Sequence, residues 1–179
     1  MGDGKLKTDF RYYYTKEDGA AKAGPVDNRN AAMMFTYSLG AQSFGAGYMR
    51  LDGDTAMPYL AGTEPMVISE GLLSSEYLNP KKRSWQVLYG YDFAGLGVPG
   101  LKAQTRYIKG TNVELPTLGG SGLEESERYL EVSYAFQGPL KGVGVRVRNS
   151  KYRNDFASAA SFRDDNETRV YVDYTMKVW

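Results

Sequence analysis

Histidine and cysteine are both missing from the 179 residues. Without histidine there is no Ser-His-Asp or Cys-His catalysis, no imidazole metal ligand and no ready general base at neutral pH. Without cysteine there is neither a disulfide nor a thiolate metal site. Carboxylate or lysine chemistry, as in a barrel hydrolase, is the remaining enzymatic route, and no H-E-x-x-H, Walker or G-x-S-x-G pattern accompanies it. The expectation is a protein that is not an enzyme and carries no metal and no cofactor. Long apolar runs are lacking too. A membrane-crossing helix needs about 20 consecutive apolar residues, and the stretches here are only a few residues long, which leaves a β-barrel as the membrane architecture still allowed. Charge of one sign is also absent, with 22 Lys and Arg against 21 Asp and Glu, which argues against a general nucleic-acid binder. The opening Met1-Gly2-Asp3-Gly4-Lys5 has no apolar signal-peptide segment, so a mature, engineered or internal start is expected.

What the chain does have is tyrosine, 15 of them, and 21 glycines, the mark of a β-rich and turn-rich fold. Strict alternation recurs in eight segments. In Lys5 to Thr15, Leu6, Thr8, Phe10, Tyr12 and Tyr14 oppose Lys7, Asp9, Arg11 and Tyr13. Arg29 to Ser38 and Ser43 to Asp52 form a hairpin about Leu39-Gly40-Ala41-Gln42. Arg83 to Asp92 sets Trp85, Val87, Tyr89 and Tyr91 against Ser84, Gln86, Gly90 and Asp92. Leu101 to Ile108, Glu127 to Phe136 and the segment from Val143 repeat the pattern, the last with Val143, Val145 and Val147 opposing Arg146 and Arg148. Thr168 to Trp179 completes the set.

Connections of roughly 13, 30, 17 and 15 residues interleave with turns of roughly four to eight. Outer-membrane barrels keep this rhythm, with long extracellular loops and short periplasmic turns. Tyr37, Phe44, Tyr91 and Phe136 fall beside the short turns, where a periplasmic aromatic girdle sits. The C-terminus is then periplasmic. Alternation does not by itself say which face is wet. A membrane barrel turns its apolar face to lipid, whereas a soluble, lipocalin-like eight-stranded barrel packs it inward around an apolar ligand. Aromatics at strand ends and strands of about ten residues favour the membrane reading.

Tyr37-Ser38-Leu39-Gly40-Ala41-Gln42-Ser43-Phe44, Gly53-Asp54-Thr55-Ala56-Met57-Pro58-Tyr59, Tyr91-Asp92-Phe93-Ala94-Gly95-Leu96-Gly97-Val98-Pro99-Gly100-Leu101, Arg106-Tyr107-Ile108-Lys109-Gly110 and Val170-Tyr171-Val172-Asp173-Tyr174 resemble, in order and spacing, the OprD family of substrate-specific outer-membrane channels. The resemblance covers nearly the whole chain and implies an all-β, transmembrane, antiparallel up-and-down barrel. Family members have eighteen strands and about twice this length, so residues 1–179 are expected to be one domain, the C-terminal portion of a larger barrel. It further implies a bacterial outer-membrane location, contact with outer-membrane lipid and lipopolysaccharide, association as loose homotrimers, and facilitated diffusion of small carboxylate-bearing solutes such as amino acids or organic acids. The family's lumen carries a ladder of basic side chains. The positions matching it are Arg146, Arg148, Arg169, Lys102 and Arg106, with Lys7 and Arg11 on the first strand. A row of fixed cations in a narrow pore concentrates anions and offers successive weak sites. The Gly53 to Lys82 segment matches a loop that folds inward near the constriction, bringing Asp54 and Tyr59 within reach of solute.

Plainer readings stand beside these. Arg146 and Arg148 also fit a solvated face of an amphipathic strand, and Asp54 equally fits a turn. Glu127 and Glu131 read first as cross-strand partners of Arg or Lys, and Asp173 and Lys177 as making similar opposite-charge pairs. Tyr12, Tyr14, Trp85 and Tyr107 read as interfacial anchors rather than a stacking site. Trp179 has lumen parity, out of phase with Met176 and Val178 on the lipid side.

Overall fold

The computed structural model describes residues 4–22, 24–58, 78–115, 118–156 and 163–176. They form one eight-stranded antiparallel sheet in which every strand pairs with its neighbour in sequence. The strands are β1 (Lys5–Lys16), β2 (Asp27–Leu39), β3 (Gln42–Asp52), β4 (Arg83–Asp92), β5 (Leu101–Leu115), β6 (Gly120–Ala135), β7 (Val143–Asn154) and β8 (Asp165–Tyr174). Among the described residues β1 pairs only with β2 and β8 only with β7, so the sheet is an open arc.

Turn chemistry sets the short ends. Gly40, at φ 57°, opens the two-residue turn between β2 and β3, where a positive φ matches the twist of the flanking strands. Between β4 and β5, the Asp92 side chain accepts the Ala94 N–H at 3.0 Å and caps a single 3-10 turn. That connection closes at Gly100, where a Cβ would lie 2.2 Å from the carbonyl oxygen of Ala135.

Two long ends differ from expectation. The supposed loop of roughly 17 residues between the fifth and sixth strands is mostly sheet, because β5 runs on to Leu115 and β6 begins at Gly120. Register shifts interrupt this extension between Gly110 and Val113 and again before Leu115, with Asn112 at φ 57°. A bulge hides the period-2 signal, and a run of Gly119, Gly120 and Gly122 disguises strand as loop. The eighth strand likewise starts earlier, at Asp165, through a polar run without alternation. Residues 177–179, including Trp179, lie outside the described residues.

Register places the apolar positions on one continuous outer face. One row runs Leu6, Tyr37, Phe44, Tyr89, Thr105, Leu130, and another Val132, Val147, Val170. Phe10, Tyr12 and Val172 remain 65%, 68% and 72% exposed. Apolar surface on this scale is not left to water in a soluble monomer, and it matches the lipid face of a membrane barrel. The soluble alternative required the reverse, an apolar interior inside a closed barrel. Aromatic pairs rim both borders: Phe44 with Tyr89, Tyr91 with Phe93 and Tyr134 with Phe136 beside the short turns, and Trp85 with Tyr107 at 5.4 Å toward the long connections.

The inner face is buried where the long β3–β4 connection returns to it. Met57 and Leu78 pack on Ala32, Met49, Leu51 and Ile108, with Tyr13 against the same cluster. Thr55 bonds both backbone groups of Asp27, and the Asn28 side chain donates to the Thr55 carbonyl at 2.8 Å. Both ends of the 53–82 connection are thus folded onto the wall rather than away from it.

Candidate functional site

Strand parity brings four of the sequence-selected cations onto one patch of the inner wall. Arg106 lies on β5, Arg146 and Arg148 on β7, and Arg169 on β8. Between them stand two tyrosines. The Arg106 guanidinium lies 5.2 Å from the Tyr129 ring centroid, and Arg148 lies 5.9 Å from the same ring. Arg148 and Arg146 lie 5.2 and 4.9 Å from the ring of Tyr171. The result is an alternating column, Arg106–Tyr129–Arg148–Tyr171–Arg146, running obliquely across β5 to β8. An aromatic face attracts a guanidinium through its quadrupole. Each ring therefore separates two like charges while binding both.

One carboxylate enters this column. Glu131 accepts from Arg148 Nε at 2.5 Å, from the Tyr129 hydroxyl at 2.6 Å and from Gln104 at 3.3 Å. Arg169 sits directly across from Arg148 and is paired with Glu167 on its own strand. Arg146 differs from both. Among the described residues it has no ion pair, and its buried Nε has no hydrogen-bond partner. The cross-strand role expected of Glu131 is thus met by Arg148, while Glu127 is bonded to Ser150.

Lys102 lies toward the short-turn end, opposite Asp92 with its ammonium 3.3 Å away. These two, with Gln104, Glu131, Ser133 and Ser43, line a cavity of about 310 Å³. Lys7 and Arg11 share the inner face but lie on β1, the far edge. Four interstrand spacings, roughly 19 Å, separate β1 from β5, and Arg11 is turned onto Asp9 at 3.3 Å. Asp54 lies just past β3, in the connection to β4, mostly exposed, with Lys81 at 3.5 Å, which also pairs with Glu114 at 3.0 Å. Tyr59 lies outside the described residues.

Above the column, toward the long connections, buried polar groups adjoin the apolar packing around Ile108. Lys82 and Glu125 form a fully buried ion pair, and the Tyr152 hydroxyl donates to Glu125 at 2.6 Å. Chemically the wall offers fixed, mutually spaced guanidiniums with no nucleophile–base pair, and no group of metal ligands occurs among the described residues. Sequence reasoning missed Tyr129, Tyr171 and Lys82. The two tyrosines carried a signal, being bulky aromatics at lumen parity among charged neighbours, while Lys82 looked like one loop charge among several.

A family model described as outer membrane porin, OprD family, matches residues 1–178. Porin-like protein GalP of Pseudomonas putida is 34% identical over 179 residues, an overlap of 99% of this chain and 41% of that protein. The crystal structure of Pseudomonas aeruginosa OccK5 (OpdH) superposes with a TM-score of 0.87 at 46% identity, covering 100% of this chain and 48% of that one. Pseudomonas aeruginosa OpdK with vanillate matches at 33% identity and a TM-score of 0.84, covering 97% and 44%. The chain therefore spans less than half the length of each of these relatives.

Proposed function

The chain belongs to the OprD family of outer membrane porins, and from that premise we propose that its inner wall guides small carboxylate-bearing solutes, amino acids or organic acids, through a channel by facilitated diffusion. The observation that carries this reading is the arginine–tyrosine column, with Arg146 holding no carboxylate among the described residues. A guanidinium presents paired donors to a carboxylate. Arg148 and Arg169, each already tied to a glutamate, offer weaker stations side by side in the next row. Successive weak sites allow transit, whereas one strong site traps. Vanillate, the molecule named with OpdK, is itself a carboxylate, which supports the class but not a particular solute.

The eight strands are the C-terminal part of the barrel in this reading, and further strands close the unpaired edges of β1 and β8, which lipid does not satisfy. Lys102 serves as the station nearest the short turns. Lys7 and Arg11 contribute from the far side of the arc, and the 53–82 connection carries Asp54 and Tyr59 to the solute path. Loose trimers and contact with lipopolysaccharide complete the proposal.

The test is conductance of the full-length parent in planar bilayers, compared with Arg146→Ala/Arg148→Ala. Anion preference and carboxylate uptake should both fall. Unchanged values for both would remove these arginines from the solute path.

A further inference from the structure

The outer face carries charges that the channel does not use. Directly above the apolar band, on the side of the long connections, Arg128 of β6 lies opposite Lys151 of β7, and Arg50 of β3 lies opposite Arg83 of β4. Both pairs point outward, on the same parity as Leu130, Val132 and Val147. Like charges directly across an antiparallel pair have Cβ atoms about 5 Å apart and destabilise it. Arg50 is offset by Asp52 at 2.8 Å. Among the described residues, Arg83, Arg128 and Lys151 make no ion pair. Next to the Arg128–Lys151 pair, Lys109 and Arg153 add two cations, paired with Glu124 at 2.8 Å and Asp164 at 3.5 Å. With Asp155, which accepts the Glu124 N–H at 2.7 Å, four cations face three carboxylates and the corner keeps an excess of positive charge.

Its height gives the partner. Tyr107 stands beside Arg128 in the same row and stacks on Trp85, and such aromatics mark the level of lipid headgroups. One outward position below Arg128 is Leu130, already facing hydrocarbon. A cation pair at that level meets the phosphates of the leaflet on the long-loop side. We propose that Arg128 and Lys151 bind a phosphate of a phosphorylated glycolipid headgroup in the outer leaflet, with Arg83 contributing a second contact around the arc. The anion removes the repulsion within the pair, and the acyl chains lie along Leu130, Val132 and Val147 beneath it. This rests on the outer-membrane barrel reading, and it adds a site on the opposite face of the wall from the solute path.

The test uses the full-length parent in detergent, with folding checked by heat-modifiable gel mobility. Binding of diphosphorylated lipid A, its dephosphorylated form and inorganic phosphate is measured by native mass spectrometry. Lipid A should be retained and the dephosphorylated lipid not. Arg128→Gln/Lys151→Gln should weaken retention roughly thirtyfold, given the usual attraction of two basic residues near an anionic surface, and Arg128→Lys should keep most of it. The double variant should leave conductance unchanged. Equal retention by the double variant, equal retention of the dephosphorylated lipid, or binding of free phosphate in place of lipid would each overturn the site. Arg146→Ala separates the two readings, because it should alter anion preference and leave lipid retention intact.

Discussion

Arg146 rests its guanidinium 4.9 Å from the ring centroid of Tyr171, although Asp173 lies two residues along the same strand on the same face. Asp173 is turned aside over Gly144, where an added Cβ would meet its carboxylate at 2.2 Å. The ring thus keeps the arginine flat and open rather than neutralised. Replacing Tyr171 with Leu should release Arg146 to nearby carboxylates, so that anion preference falls toward that of Arg146→Ala. Tyr171→Phe keeps the face and should retain most of it. A cation–π contact of this kind is worth about 0.5–2 kcal/mol, enough to shift side-chain populations several-fold. Reversal potentials under a salt gradient distinguish the three variants.

Glu131 ties Arg148 and the Tyr129 hydroxyl. Glu131→Gln removes a negative charge from the wall and frees a second guanidinium. Carboxylate binding should strengthen by several-fold at low salt and converge with wild type as screening grows, the Debye length shrinking from about 10 Å at 0.1 M to about 3 Å at 1 M. Solute block of single-channel current, titrated at two ionic strengths, reads this directly. An unchanged block at low salt would mean that Glu131 stands outside the solute path.

The buried pair Lys82–Glu125 joins the end of the 53–82 connection to the wall. Lys82→Met strands a carboxylate away from water, and breaking a buried pair in this way costs about 3–5 kcal/mol. Replacing both partners, Lys82→Met/Glu125→Met, should cost less, because no uncompensated charge remains. Protease cutting within 53–82 and the temperature of the gel-mobility shift should order wild type, double variant and single variant in that sequence. A single variant as resistant as wild type would show that the connection is held by other contacts.

The faces were legible because a strand's period of two is simple. From β1 to β4 the alternation located every strand within two residues at each end, and parity alone sorted Phe44 and Trp85 on the outer face from Arg106, Arg146 and Arg148 on the inner face. Legibility failed where local geometry breaks that period. The bulges after Gly110 and the positive φ of Asn112 concealed the upper β5–β6 hairpin, and the polar start of β8 gave no apolar beat. The site was half legible for a different reason. Composition and parity reveal which residues share a wall, but not that Tyr129 and Tyr171 interleave with arginines from neighbouring strands, which depends on register across three pairings. Likewise a lysine at position 82 gives no hint that it will be buried against Glu125 of β6.

The outward rows have one more consequence, for the lipid rather than the solute. On β6 the outward sequence is Arg128, Leu130, Val132, Tyr134, bracketed by charge above and by the Tyr134–Phe136 pair below. Moving by one row displaces the wall by about 7 Å along a strand, or roughly 5 Å in depth at the usual tilt. Sinking drags Arg128 and Lys151 into hydrocarbon, and rising lifts the turn-side aromatics into water. The protein is therefore vertically registered in its bilayer, and where the two thicknesses disagree, the surrounding lipid must thin or thicken to meet it.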